Sequence, residues 1–101
     1  MVKLLKIVKS DKPLKKWTAI FKLDNDKEKK VNFGYYNKND LKNDYTLNMD
    51  KERRERYRKR HAKDLKTNDP MRAGYLSFYI LWGDSTSFRK NVASYKKRFD
   101  L

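Results

Sequence analysis

Residues 17–33, WTAIFKLDNDKEKKVNF, decide the fold. Trp17, Ala19, Phe21 and Leu23 alternate with Thr18, Ile20 and Lys22, the period of two that gives a pleated strand one buried face. Asp24-Asn25-Asp26-Lys27 supplies turn chemistry, because Asn and Asp tolerate left-handed backbone and bond their own main chain. Val31 and Phe33 resume the alternation, so the segment reads as a β-hairpin. Upstream, Val2–Lys9 mixes apolar and basic residues ahead of the Asp11-Lys12-Pro13 turn. It is read as a further strand, although its apolar spacing at 4, 5, 7 and 8 suits a helix equally well. Strands are therefore assigned within residues 1–33. Gly34–Asn43 has no period and reads as a loop.

Downstream the period changes. Asp50–Leu65 (DKERRERYRKRHAKDL) has no Gly, Pro or β-branched residue. Glu52/Arg56, Glu55/Lys59 and Arg60/Asp64 stand at i,i+4, each pair worth roughly 0.2–0.5 kcal/mol in a helix. The acidic start also suits the helix dipole. Lys66-Thr67-Asn68 interrupts the pattern, and Asp69-Pro70 then offers an N-cap followed by proline at the first helical position. The second helix is predicted over residues 70–82, ending at Gly83. Met71, Tyr75, Phe78 and Trp82 line one face and Leu76 and Ile80 another, so this helix belongs inside a core. Its aromatic, branched stretch Tyr75–Trp82 leaves a buried strand as the rival reading. A third helix over 85–98 carries an apolar stripe of Phe88, Val92, Tyr95 and Phe99.

These elements predict one α+β domain spanning residues 1–101, an N-terminal antiparallel hairpin or small sheet packed on about three C-terminal helices. The predicted core is Trp17, Phe21, Val31, Phe33, Tyr57, Leu76, Phe78, Ile80, Trp82, Phe88, Val92 and Tyr95.

Composition narrows the function. The chain has 101 residues, 27 Lys plus Arg against 13 Asp plus Glu, and a formal charge of +14. Charged residues make up 40%, close to disordered chains, yet fourteen aromatics supply a small core because each buries roughly 150–250 Å². No cysteine is present, which excludes a disulfide scaffold, a Cys-ligated zinc site and a thiol nucleophile. One histidine excludes a multi-His metal cluster. Met1–Ser10 is basic with no apolar stretch of the secretory kind, so secretion is not expected. The longest apolar run, Tyr75–Trp82, is far short of the roughly 20 residues that span a bilayer, and no transmembrane segment is expected.

The charge is unevenly placed. Residues 1–33 carry ten basic and four acidic side chains, residues 34–49 balance, and residues 50–65 carry eight against four. Residues 66–82 add one net positive charge and 83–101 add three. On a wheel of residues 50–65, Tyr57, His61 and Leu65 share a face with Asp50, Arg54 and Asp64 close by. Arg56, Lys59 and Lys63 point away, flanked by Lys51, Arg58 and Arg60. Arg54 is expected to be partly buried and to need a carboxylate, since an unpaired buried charge is costly; Asp50 and Asp44 are the candidates.

His61 titrates near neutrality, as a general base must, but no nucleophile signature or glycine-rich phosphate loop accompanies it. A packed, hydrogen-bonded histidine beside Tyr57 is the simpler reading. Asp44 and Asp50 likewise read as helix-start caps or partners of Arg53 or Arg54 rather than metal ligands. The structural polar set is thus Asp44, Asp50, Arg54, Tyr57 and His61, with no catalytic residue, metal or cofactor assigned. The basic surface carries the functional expectation. Lys and Arg neutralise phosphates, and counterion release supplies binding free energy with little sequence preference. The expected phosphate contacts are Arg56, Arg58, Lys59 and Lys63, aided by Arg89, Lys90, Lys96 and Lys97. Tyr35 and Tyr36, beside Gly34, either stack on exposed bases or cover the hairpin.

From Phe33 to the C-terminus the chain resembles a family of small basic proteins of large double-stranded DNA viruses of algae and amoebae, of chlorella-virus and mimivirus type. The resemblance rests on Phe33-Gly34, Asp44-Tyr45-Thr46, and a helix with Arg54, Tyr57, Arg60 and His61. It continues through Asn68-Asp69-Pro70, Ala73-Gly74-x-Leu76-Ser77, Ile80-Leu81-Trp82, and Ser85 ahead of a basic C-terminal helix. It implies a viral protein carried in the virion, or working in the host cytoplasm or nucleus during infection, with no established activity. Members often carry histidine where Asn32 and Asn48 stand here, which implies hydrogen-bonding roles at those positions. The expected function is non-catalytic binding of nucleic-acid phosphate, double-stranded DNA first. The alternative is a minor capsid protein that cements the lattice by meeting an acidic capsid-protein surface. A third class, a small enzyme using His61, is also carried forward.

Overall fold

The computed structural model describes all 101 residues. The alternating segment becomes the centre of a three-stranded antiparallel sheet in sequence order, β1 (Lys3–Lys9), β2 (Lys15–Lys22) and β3 (Glu28–Tyr35). Val2–Lys9 resolves as strand. Register places Leu4 opposite Phe21, Ile7 opposite Ala19, Ala19 opposite Val31, and Trp17 opposite Phe33. Paired side chains share a face, and this apolar set is the sheet's contribution to the core. Register shifts between Leu4 and Lys6, so Leu5 is an inserted residue and stands exposed. Two outward positions are also covered: Thr18 and Ile20 are buried although the alternation aims them at solvent. They sit on the middle strand, Ile20 between Lys6 and Lys30, whose long stems can shelter apolar surface, and Thr18 between Val8 and Asn32, to which its hydroxyl donates.

β3 continues through Gly34 to Tyr35, two residues beyond the predicted end. Gly34 adopts φ +81, and a Cβ there would press into the Leu81 side chain, so the strand closes on the helical layer where only glycine fits. Asp44 then caps α1 (Tyr45–Asn48), accepting from the Thr46 amide at 3.0 Å, and Asp50 caps α2 (Lys51–His61), accepting from the Arg53 amide at 3.0 Å.

The predicted helix 50–65 is α-helical only to His61; Ala62–Thr67 tightens into a 3₁₀ helix that stops at Asn68 in left-handed backbone. The Tyr75 hydroxyl donates to the Leu65 carbonyl there, a terminal group a regular helix leaves unpaired. The predicted helix 70–82 also changes form. Asp69 takes the Met71 amide in a local turn at 3.0 Å, and α3 (Ala73–Leu76) begins only after Arg72. It widens into a π-helix over Ser77–Leu81, with the Trp82 amide donating to the Ser77 carbonyl at 3.0 Å. The rival strand reading is excluded. Asn91 holds the exit of this segment: its side-chain amide donates to the Ile80 carbonyl at 2.8 Å and the Ser85 carbonyl at 2.7 Å, and its oxygen accepts from the Ser85 amide at 3.1 Å. Finally α4 (Phe88–Arg98) is capped by Ser87.

The core gathers Leu4, Ala19, Phe21, Phe33, Tyr45, Leu76, Ile80, Leu81, Trp82 and Tyr95. Trp17, Val31, Tyr57, Phe88 and Val92, predicted as core, are half-buried and pack against it. Leu4, Ala19, Tyr45 and Leu81 were not predicted; Ala19 lies on the buried face that the alternation marks but is small, and the other three belong to short or irregular elements with too little periodicity to show a face. No helix is long and apolar enough to cross a membrane.

Candidate nucleic-acid interface

Helix α2 buries no residue fully, so it is attached through partly buried side chains. Tyr57 stacks on Trp82 with centroids 4.4 Å apart and planes at 10°, and His61 stacks on the other face of Tyr57 at 4.2 Å. Burial pushes the Tyr57 phenol up to about 12. Two arginines complete the attachment. Arg54 Nε donates to the Gly83 carbonyl at 2.6 Å, and Arg58 Nη1 donates to the Trp82 carbonyl at 3.0 Å while its guanidinium lies 4.3 Å over the Phe78 ring. Both cap carbonyls at the end of a helical segment, where a cation is favoured. Burial, aided by the neighbouring Arg54 charge, lowers the Arg58 pKa.

Arg54 is partly buried as expected, but its carboxylates are neither Asp50 nor Asp44. They are Asp84 at 2.8 Å and Glu55 at 2.7 Å. Asp44, only 2% exposed, instead pairs with Lys16 and receives the Thr46 hydroxyl. Asp50 serves as a cap, and Arg53 pairs with Asp40 at 3.0 Å. The three i,i+4 pairs read from the sequence do not form: Glu55 and Asp64 are drawn to Arg54 and His61, and Glu52 makes no ion pair. Asn32 accepts from the Ser10 and Thr18 hydroxyls, and Asn48 donates to the Lys42 carbonyl and accepts from the Asp50 amide. Both positions therefore carry hydrogen bonds.

His61 Nδ1 lies 3.0 Å from Asp64 Oδ2. The ring does border an open hollow of about 480 Å³, so a test of catalysis by His61 rests on substitution rather than on access. No group of three or more His, Asp or Glu side chains is gathered to hold a metal ion.

On the outward side of α2, Arg53, Arg56, Lys59 and Arg60 line a hollow of about 490 Å³ with no hydrophobic lining. Arg56 and Lys59 were expected there. Arg53 and Arg60 were missed as contacts, although the 53, 56, 60 spacing is a helical stripe of arginines. Arg58 is a correction: its side chain is folded inward and engaged, because it is needed over Phe78. Lys63 is exposed but outside this hollow, on the 3₁₀ segment, whose three residues per turn carry it off the α-helical stripe. Arg89 and Lys96 lie elsewhere, beside Lys6 in a groove between β1 and α4, while Lys90 and Lys97 are simply exposed. The eight predicted contacts are thus not one surface.

The protein's own acids leave most of its charge available. Six of the 27 lysines and arginines (Lys16, Lys22, Arg53, Arg54, Arg58 and Arg72) lie within 4.0 Å of a carboxylate. Arg56, Lys59 and Arg60 have no such partner. The sequence matches no protein-family model and no curated protein, and the structure matches no solved structure.

Proposed function

We propose that this chain is a non-catalytic, strongly basic viral protein, carried in the virion, that binds nucleic-acid phosphates through the outward side of α2. The observation that carries the reading is the hollow of Arg53, Arg56, Lys59 and Arg60, where three of four cations have no internal carboxylate and no hydrophobic residue contributes to the lining. Guanidinium forks match phosphate oxygens in pairs, and a solvated concave cluster attracts a polyanion at long range. His61 is accounted for by its stack on Tyr57 and its bond to Asp64, contacts made within the helical segment itself.

The test is binding of duplex DNA to the protein and to its Arg56→Gln/Lys59→Gln/Arg60→Gln variant at several salt concentrations. If the three cations meet three phosphates, the slope of log K against log salt shrinks by about 2.7 in the variant, with the fold unchanged. Equal affinity and slope for the two proteins would overturn the reading. Polyglutamate, added as competitor, separates phosphate recognition from the alternative of cementing an acidic capsid lattice. The phosphate reading requires DNA to be displaced poorly, because a duplex carries one charge per about 1.7 Å and an extended carboxylate chain only one per about 3.3–3.6 Å.

A further inference from the structure

The cationic hollow on α2 is one end of a longer track. A second concavity, of about 720 Å³, opens at the β1–β2 turn. Trp17 and Phe88, with rings 4.8 Å apart, form its floor, Tyr36 and Leu47 form walls, and Lys12 and Lys15 stand at its rim. The hollow beside His61 joins the two. It shares Lys15, Lys16 and Asp44 with this concavity and Arg53 and Arg60 with the α2 hollow. Of the acids along the track, Asp44 is paired with Lys16 and Asp40 with Arg53, Asp64 bonds the His61 ring, and Asp11, at the edge of the concavity, stands beside Lys12 with no ion pair of its own. Lys12 and Lys15 have no carboxylate partner, and Tyr36 is 42% exposed.

The two ends differ in chemistry. The α2 hollow offers charge alone, which any phosphate backbone satisfies. The concavity at the turn offers aromatic and aliphatic surface inside a cationic rim, at a volume typical of small-ligand sites. A duplex keeps its bases stacked inside and presents nothing apolar to fill it. An unpaired base has a face to stack and phosphates on either side, the combination that basic grooves with aromatic platforms hold.

We propose that the nucleic acid this protein prefers is single-stranded, and that one unpaired base enters the concavity beside Tyr36. Its flanking phosphates pass over Lys12 and Lys15 toward α2. This rests on the phosphate-binding reading and replaces its duplex with a single strand.

The experiment compares, by fluorescence anisotropy, an oligothymidylate of about 12 nucleotides, an abasic strand with the same phosphates, and a duplex of equal length. The thymidylate should bind about tenfold more tightly than the abasic strand, the gain of one stacked base. Tyr36→Ala should abolish that gain while leaving the abasic affinity unchanged. Leu47→Ser, an uncharged change at another exposed position, should act the same way. If no probe binds, the phosphate reading itself fails. If all three bind alike and both variants are silent, phosphate binding stands and the base site is overturned. A leucine-containing acidic peptide that binds in a Tyr36-dependent manner, when thymidylate does not, would assign the concavity to a protein and also overturn the base site.

Discussion

Helix α2 has two sides that the sequence spells with the same letters. On the inward side Arg54 and Arg58 are bound to carbonyls and an aromatic ring and hold the helix to the body. On the outward side Arg56, Lys59 and Arg60 have no internal acid and face a hollow. A helix with no fully buried residue is thus anchored by cations on one side and charged by cations on the other. The difference teaches that formal charge and available charge are separate quantities. What separates them here is whether a terminal carbonyl or an aromatic ring lies within reach.

The largest expected effect lies at the anchor point. A Cβ at Gly83 would collide with the Tyr79 carbonyl oxygen and the Asn91 side chain, and it is the Gly83 carbonyl that Arg54 grips. Gly83→Ala should cost about 3 kcal/mol or more in urea unfolding. Arg54→Ala should follow at about 2 kcal/mol, the loss of charged hydrogen bonds at a partly buried site. Arg56→Ala, two residues on, should stay within about 0.5 kcal/mol. Equal losses at the two positions would erase the distinction between the sides.

Tyr57 gives a smaller, pH-dependent effect. Its phenol ionises near 10 when unfolded and at about 12 when folded, so the unfolded state loses its proton first. The stability this contributes is intact below pH 10 and declines as pH rises toward about 12. Tyr57→Phe should flatten that alkaline decline in thermal melts recorded across the range. It should not remove the decline, because burial also raises the Tyr95 phenol. The smallest effect separates neighbours on the outward side. Arg56→Gln should lower the salt slope of DNA binding by about 0.9, whereas Lys63→Gln, outside the hollow, should leave it unchanged.

Much of the architecture was legible because it rests on period. The alternation Trp17–Leu23 located the central strand, and the stripe Phe88, Val92, Tyr95 located α4. The helix starts at Phe88 rather than at residue 85, because Ser87 is its cap. Two kinds of feature were not legible. The 3₁₀ and π segments keep helical composition while changing hydrogen-bond spacing, and that change is set by partners far along the chain, Tyr75 for Leu65 and Asn91 for Ile80. Arginine orientation was the other. The wheel put Arg58 at the edge of the free side, but a guanidinium reaches several ångströms from its backbone, and Phe78 and the Trp82 carbonyl captured it. Asp84 as the partner of Arg54, thirty residues away, could not be read from local spacing. Of Arg54, Tyr57, Arg60 and His61, Arg54 and Tyr57 reach the body of the protein, His61 packs on Tyr57, and Arg60 lines the cationic hollow.

The arginine Nε–Hε resonances in a nitrogen–proton correlation spectrum report each guanidinium separately, and a titration with single-stranded oligothymidylate reads both sides of α2 at once. The account predicts that the Arg56 and Arg60 signals shift with added strand while Arg54, bound to the Gly83 carbonyl, stays in place and exchanges slowly with water. Shifts at Arg54 and Arg58 as large as those at Arg56 and Arg60 would contradict it.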